Sequence, residues 1–90
     1  MTRMRAKVRV GSVLPHRDES EKTVSEQVRF YGVSKSNGYP ADGTDEDNTF
    51  ARWSPSVEMA FHIANPDLFG KFTPGDTFYV DFTPVPAKAE

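Results

Sequence analysis

Apolar and basic residues alternate strictly at the start of the chain. Between Met4 and Val10 every second residue is apolar, and each residue between them is basic. A β-strand places successive side chains on opposite faces. The pattern therefore predicts a strand over residues 4–13 with an apolar face and a cationic face, and Gly11-Ser12 predicts a bulge in it. The basic side chains are Arg3, Arg5, Lys7 and Arg9.

The basic row has two interpretations. Residues on the same face of a strand lie about 6.6–6.8 Å apart, a spacing that suits a phosphate backbone or another polyanion. The favoured alternative is a solvated edge strand whose charges prevent edge-to-edge aggregation. Acids on a neighbouring strand, such as Glu26, would then neutralise the row.

Four further segments have strand-like patterns, and turn-forming residues separate them. They are residues 23–33, 50–53, 57–63 and 77–82. At most one helical turn is expected, over residues 66–69. Short strands between turns predict an all-β fold, a small five-stranded barrel or sandwich of the SH3-like or OB-like kind. Residues 1–83 form the predicted domain and residues 84–90 a predicted extended arm.

Residues 34–48 form a long polar segment with turn signals at Asn37-Gly38 and Asp42-Gly43. Its acidic residues raise the question of calcium binding. Their spacing differs from an EF-hand loop, which has oxygen ligands at alternate positions, a central Gly and a terminal Glu. We therefore predict a solvated, mobile loop without a metal ion.

Composition limits the class of protein. A 90-residue domain without cysteines is marginally stable by itself, so homo-oligomerisation is expected. The net charge of −2 argues against extensive coating of nucleic acid. Neither a signal peptide nor an apolar run of membrane-spanning length is visible, so we expect a cytoplasmic protein without membrane contact.

Arg52 and Trp53 form the best candidate pair for binding a ligand. An indole ring stacks on bases, and a guanidinium group holds phosphate or carboxylate through two hydrogen bonds. Tyr39 and Tyr79 are further candidates for stacking. The favoured alternative for Trp53 is a structural role in the core.

The sequence does not suggest an enzyme or a cofactor. Glu58 and His62 are four residues apart, which on a strand separates them by roughly 13 Å. Ser54 and Ser56 lack the surroundings of a nucleophile elbow. Walker, Rossmann and deaminase motifs are absent from the sequence.

Several runs resemble a family of small, uncharacterised tailed-bacteriophage proteins. The runs are MRAKV at residues 4–8, NTFARWSPS at 48–56, IANP at 63–66 and FTPGDTFYVDFTP at 72–84. The resemblance covers most of the chain, and the last run is the most specific. It implies a phage context, in the cytoplasm of the infected cell or in the virion, and carries no catalytic residues.

Three functions agree with these observations. The first in rank is a phage-encoded binding protein that sequesters or inhibits a host target, either a defence protein or a nucleotide signal. The second is a capsid-decorating virion protein. The third is a single-stranded nucleic-acid-binding protein that uses the basic row and the aromatic residues.

Overall fold

A computed structural model describes residues 3–86, and almost all of its regular structure is β. The predicted all-β class is confirmed, and helix is limited to one 3-10 turn at Pro66–Leu68. The strands are β1 (Arg5–Arg17), β2 (Thr23–Gly32), β3 (Glu58–Ile63) and β4 (Thr77–Asp81). Residues 1–2 of the predicted domain and residues 87–90 of the predicted arm lie outside the described residues.

The strands form one antiparallel sheet in the order β3-β2-β1-β4. Within residues 3–86 this four-stranded sheet is open, in place of the predicted five-stranded barrel or sandwich. The segment expected as the fifth strand makes only an isolated bridge between Thr44 and Arg52. Trp53 ends it with a positive φ of 62°, which is incompatible with a continuing strand.

β1 lies between β2 and β4, so it is an inner strand and not the predicted edge strand. Its apolar side chains are protected on one face of the sheet. Ala6, Val8 and Val10 are each at most 1% exposed. The basic side chains between them point to the opposite face, as the alternation predicted.

The register assigns side chains to two faces. The apolar face is formed by Ala6, Val8, Val10, Val13, Val28, Phe30, Met59, Phe61, Ile63, Phe78 and Val80. The polar face is formed by Arg5, Lys7, Arg9, Arg29, Tyr31, Glu58, His62, Thr77, Tyr79 and Asp81.

A β-bulge interrupts the pairing of β1 with β2 between Val10 and Ser12. The extra residue is Gly11, and a Cβ there would lie 3.2 Å from the ring of Tyr31. Because the bulge adds one residue, Val13 lies on the same face as Val10 and pairs with Val28. The predicted irregularity at Gly11-Ser12 therefore preserves the apolar face.

Phe30 occupies the centre of the apolar face. Its ring makes edge-to-face contacts with Phe61, Phe72 and Phe78 at centroid distances of 5.8, 5.7 and 6.3 Å. Such pairs are worth about 0.5–1.5 kcal/mol each beyond the area they bury. The sheet core is small, because only Ala6, Val8, Val10, Val28 and Phe30 are buried apolar residues within the described chain.

Residues 64–76 connect β3 with β4, which lie at opposite edges of the sheet. We call them the crossing segment. Its Gly70 N–H donates to both carboxylate oxygens of Glu26 at 3.3 Å, and its Phe72 packs on Phe30. These contacts hold the crossing segment against the apolar face. In the described part of the chain no helix has the length and apolar character needed to span a membrane.

Candidate binding surfaces

The segment between β2 and β3 is tied to the sheet by Asn48, which is 0% exposed. Its Oδ1 accepts a hydrogen bond from the Lys7 N–H at 2.7 Å. Its Nδ2 donates to the Val33 carbonyl at 2.8 Å and to Asp45 Oδ2 at 3.0 Å. Asn48 therefore joins the segment to β1 and to the end of β2.

Asp45 organises the turn that presents Asn48. It is 3% exposed, and its Oδ1 accepts from the N–H groups of Asp47 and Asn48 at 2.9 and 3.1 Å. Burial by itself raises the pKa of Asp45, but hydrogen bonds from Asn48 and from backbone N–H groups outweigh it. The net pKa lies below the ordinary value, so Asp45 is a buried, hydrogen-bonded anion.

Arg5, the first residue of β1, is paired with Asp81. Its Nε and Nη2 donate to the two oxygens of Asp81 at 2.6 and 3.0 Å. The guanidinium also lies over the ring of Tyr79, 4.5 Å from its centroid. The hydrogen bond lowers the pKa of Asp81 and raises that of Arg5.

The rest of the row has partners as well. Lys7 Nζ lies 3.4 Å from Asp47 Oδ2, and the Tyr79 hydroxyl donates to Asp47 Oδ1 at 3.1 Å. Arg9 Nε donates to the Thr77 hydroxyl at 3.1 Å. Asp81 and Asp47 thus pair with Arg5 and Lys7, whereas the partner of Arg9 is a neutral hydroxyl group. Glu26, the predicted partner, lies on the opposite face.

Arg3 precedes β1. Its carbonyl accepts a hydrogen bond from the Thr49 hydroxyl at 2.7 Å. Its positive charge helps to lower the pKa of Asp81, after the larger effect of Arg5. Arg3 therefore belongs to the same end of the sheet as the Arg5–Asp81 pair.

Arg52 and Trp53 contact their own loop. Arg52 Nη1 donates to the carbonyl of Asp42 at 3.3 Å, and the backbone N–H of Trp53 donates to the Gly43 carbonyl at 2.7 Å. The indole covers Gly43, and its centroid lies 5.8 Å from that of Tyr39. Trp53 is still 52% exposed, so it combines a structural contact with an open ring face.

Tyr31 was not among the predicted binding residues. It pairs with Arg9 on β1 and with Glu58 on β3, and it is 47% exposed. The alternation of β2 places Tyr31 and Arg29 on one face. Sequence reasoning did not single out these two exposed side chains because it could not show which side of β2 stays open.

The described residues gather no cluster of three or more His, Cys, Asp or Glu side chains that would hold a metal ion. Asp42 accepts hydrogen bonds from within its own loop, from the Thr44 N–H at 3.1 Å and from the Thr44 hydroxyl at 2.9 Å. These hydrogen bonds lower the pKa of Asp42.

Comparisons with family models, with curated proteins and with solved structures gave no match to this chain. The functional argument therefore rests on the two faces of the sheet and on the loop joined to them.

Proposed function

We propose that the chain is a non-enzymatic, phage-encoded binding protein that inhibits or sequesters a host protein in the cytoplasm of the infected cell. The binding surface in this proposal is the polar face of the sheet. The observation that supports it most is the combination of exposed tyrosine and arginine side chains on a hydrogen-bonded sheet.

Tyr31 on β2 and Tyr79 on β4 lie on either side of β1 and face the same way. They are 47% and 52% exposed. Tyrosine and arginine are enriched at the centres of protein interfaces, where an aromatic ring buries a large area at a small entropic cost. Arg9 lies between them, paired with Tyr31 in the register and hydrogen-bonded to Thr77.

A protein target suits this face better than a nucleotide does. Phosphate recognition needs cations that can turn their donors to the ligand. Arg5 already gives two donors to Asp81, and Lys7 lies beside Asp47. A nucleotide signal or a single nucleic-acid strand would have to displace these acids. Paired charges within an interface instead provide specificity for a complementary protein surface.

Photo-crosslinking tests this proposal. A photoreactive phenylalanine analogue replaces Tyr31 in one variant and Asn37, in the exposed loop, in the control. During infection, position 31 is expected to crosslink one discrete host protein, and position 37 is expected not to. Arg9→Glu should abolish that crosslink. Equal labelling at both positions, or persistence in the Arg9→Glu variant, would reject the polar face as the binding surface.

A virion role is the second candidate, and the flat shape of the chain favours it. The Cα atoms span 55 × 37 × 16 Å, a plate that suits attachment to a capsid surface. A second layer on the apolar face would also produce the sandwich that the sequence predicts. Mass spectrometry of purified particles separates the two candidates, because a decorating protein is present at fixed stoichiometry and a cytoplasmic inhibitor is absent.

A further inference from the structure

Part of the apolar face is open to solvent. A groove of about 330 Å³ lies beside the crossing segment, with Phe30 and Phe72 among its lining residues. Phe61, Leu68 and Phe78 also line it and are 51%, 44% and 36% exposed. The side chains lining this groove are uncharged. Clustered exposed aromatic and aliphatic residues mark an interaction surface.

The chain exposes more surface than a compact monomer of its size. Its accessible area is 6662 Å², whereas a folded monomer of 10.1 kDa exposes about 5,300 Å². Its radius of gyration is 16.3 Å, compared with about 12 Å for a compact domain of 90 residues. A larger accessible area and a larger radius of gyration are both expected of a single sheet that has no second layer packed on it.

We propose that a second copy of this chain packs on the apolar face, so that two open sheets form one two-layer sandwich. The excess area of about 1,400 Å² is summed over the whole chain. It is larger than the roughly 800 Å² that each partner buries in a standard interface, so an interface on the apolar face would account for only part of it. A two-fold axis brings the same patch of both copies together. Phe61 and Phe78 would pack in the space between the sheets.

The charge distribution favours a second copy as the occupant. Two identical patches repel each other when each carries net charge of one sign, and the described residues that line this groove carry no charge. Glu26, the acid on this face, is 8% exposed and already accepts from Gly70. Homodimer interfaces are also more apolar than those of transient complexes. The polar faces of both copies would point outward.

Sedimentation equilibrium of the full chain, at concentrations from nanomolar to tens of micromolar, tests the proposal. We expect a dimer with about twice the 10.1 kDa chain mass. Phe61→Glu should weaken dimerisation at least 100-fold, because each interface would bury two carboxylates. Tyr31→Glu is the matched control, an aromatic residue of similar exposure on the opposite face, and should leave the dimer intact.

Crosslinking gives a second test that does not depend on the stability of Phe61→Glu. The sequence has no cysteine, so Phe61→Cys and Tyr31→Cys each introduce a single thiol. A short bismaleimide should join two Phe61→Cys chains and leave Tyr31→Cys chains unjoined. A monomeric wild-type chain at tens of micromolar, or a dimer joined through position 31, would overturn the proposal. Neither test uses a host protein, so the result is independent of the proposed inhibitory function.

Discussion

Asn48 Oδ1 accepts a 2.7 Å hydrogen bond from the backbone N–H of Lys7, although 41 residues separate the two along the chain. This N–H belongs to the part of β1 that extends beyond the end of β2. An amide side chain thus replaces a strand partner at that point. The Val33 N–H donates a hydrogen bond to the Lys7 carbonyl at 2.9 Å, so the N–H and the carbonyl of Lys7 both have hydrogen-bond partners.

Asn48→Ala is expected to lower the free energy of unfolding by about 3 kcal/mol, because it leaves the partly buried Lys7 N–H and Val33 carbonyl without their Asn48 partners. Urea denaturation followed through the single tryptophan measures this change. Asn37→Ala, in the exposed part of the same loop, is the control and should change stability by less than about 0.5 kcal/mol. Equal costs for the two variants would contradict the role assigned to Asn48.

Gly43→Ala is expected to disturb the loop around Trp53. Gly43 has φ +74°, and a Cβ there would lie 2.5 Å from the indole. Gly38 has nearly the same φ, +73°, with nothing within 4 Å of its Cβ position. Both alanines carry the strain of positive φ, about 1–2 kcal/mol, and only Gly43→Ala must also displace the ring.

The difference between these two variants therefore isolates the contact of Gly43 with Trp53. We expect Gly43→Ala to be less stable than Gly38→Ala by about 1–3 kcal/mol, with a red-shifted tryptophan emission. If the two variants unfold at the same urea concentration with the same emission maximum, the indole does not pack on Gly43 in solution.

Acid should weaken both the hydrogen bonds around Asp45, in the segment between β2 and β3, and the ion pair between Asp81 and Arg5. The pKa values of Asp45 and Asp81 are lower in the folded chain than in the unfolded chain. Their contribution to stability is therefore complete above the ordinary aspartate pKa, about 3.9. This contribution is lost as the pH falls through the lower pKa values that the two aspartates have in the folded chain. Unfolding measured from pH 7 to pH 2 should show this loss.

Asp45→Asn is the diagnostic variant for this pH dependence. It should be less stable than wild type at pH 7 and approach wild-type stability at pH 2, because protonated Asp45 has also lost its charge. Glu19→Gln, in the exposed turn of the hairpin, should follow the wild-type curve. An Asp45→Asn curve parallel to wild type over the whole range would show that the Asp45 carboxylate does not contribute as an anion.

Local patterns predicted much of the sheet. Alternation located β1, and Gly11-Ser12 located its bulge, because both depend on neighbouring residues alone. The predicted fifth strand is only an isolated bridge at Arg52, and it ends at Trp53, which has a positive φ and packs against Gly43 and Tyr39. Contacts with residues this far away in sequence are not encoded in local strand propensity. The predicted edge position of β1 was wrong, because strand order is a long-range property.

The candidate site was harder to predict than the fold. The sequence identified the basic row but could not show that Asp47 and Asp81 approach it from a loop and from β4. It also predicted a barrel or sandwich, in which the apolar residues of β3 and β4 would be covered. Whether a second layer covers Phe61 and Phe78 depends on tertiary and quaternary packing, which period-two patterns do not encode.

The bulge at Gly11 shifts the alternation of side chains along β1 by one residue. Beyond it, Val13 points to the side that Val10 occupies, although their spacing of three residues would place them on opposite sides of a regular strand. Deleting Gly11 would remove the extra residue, so Val10, Ser12 and Val13 would alternate regularly and Val13 would keep its place opposite Val28. A relative without the bulge should therefore lack one residue between Val10 and Val13 and show unbroken alternation along its first strand.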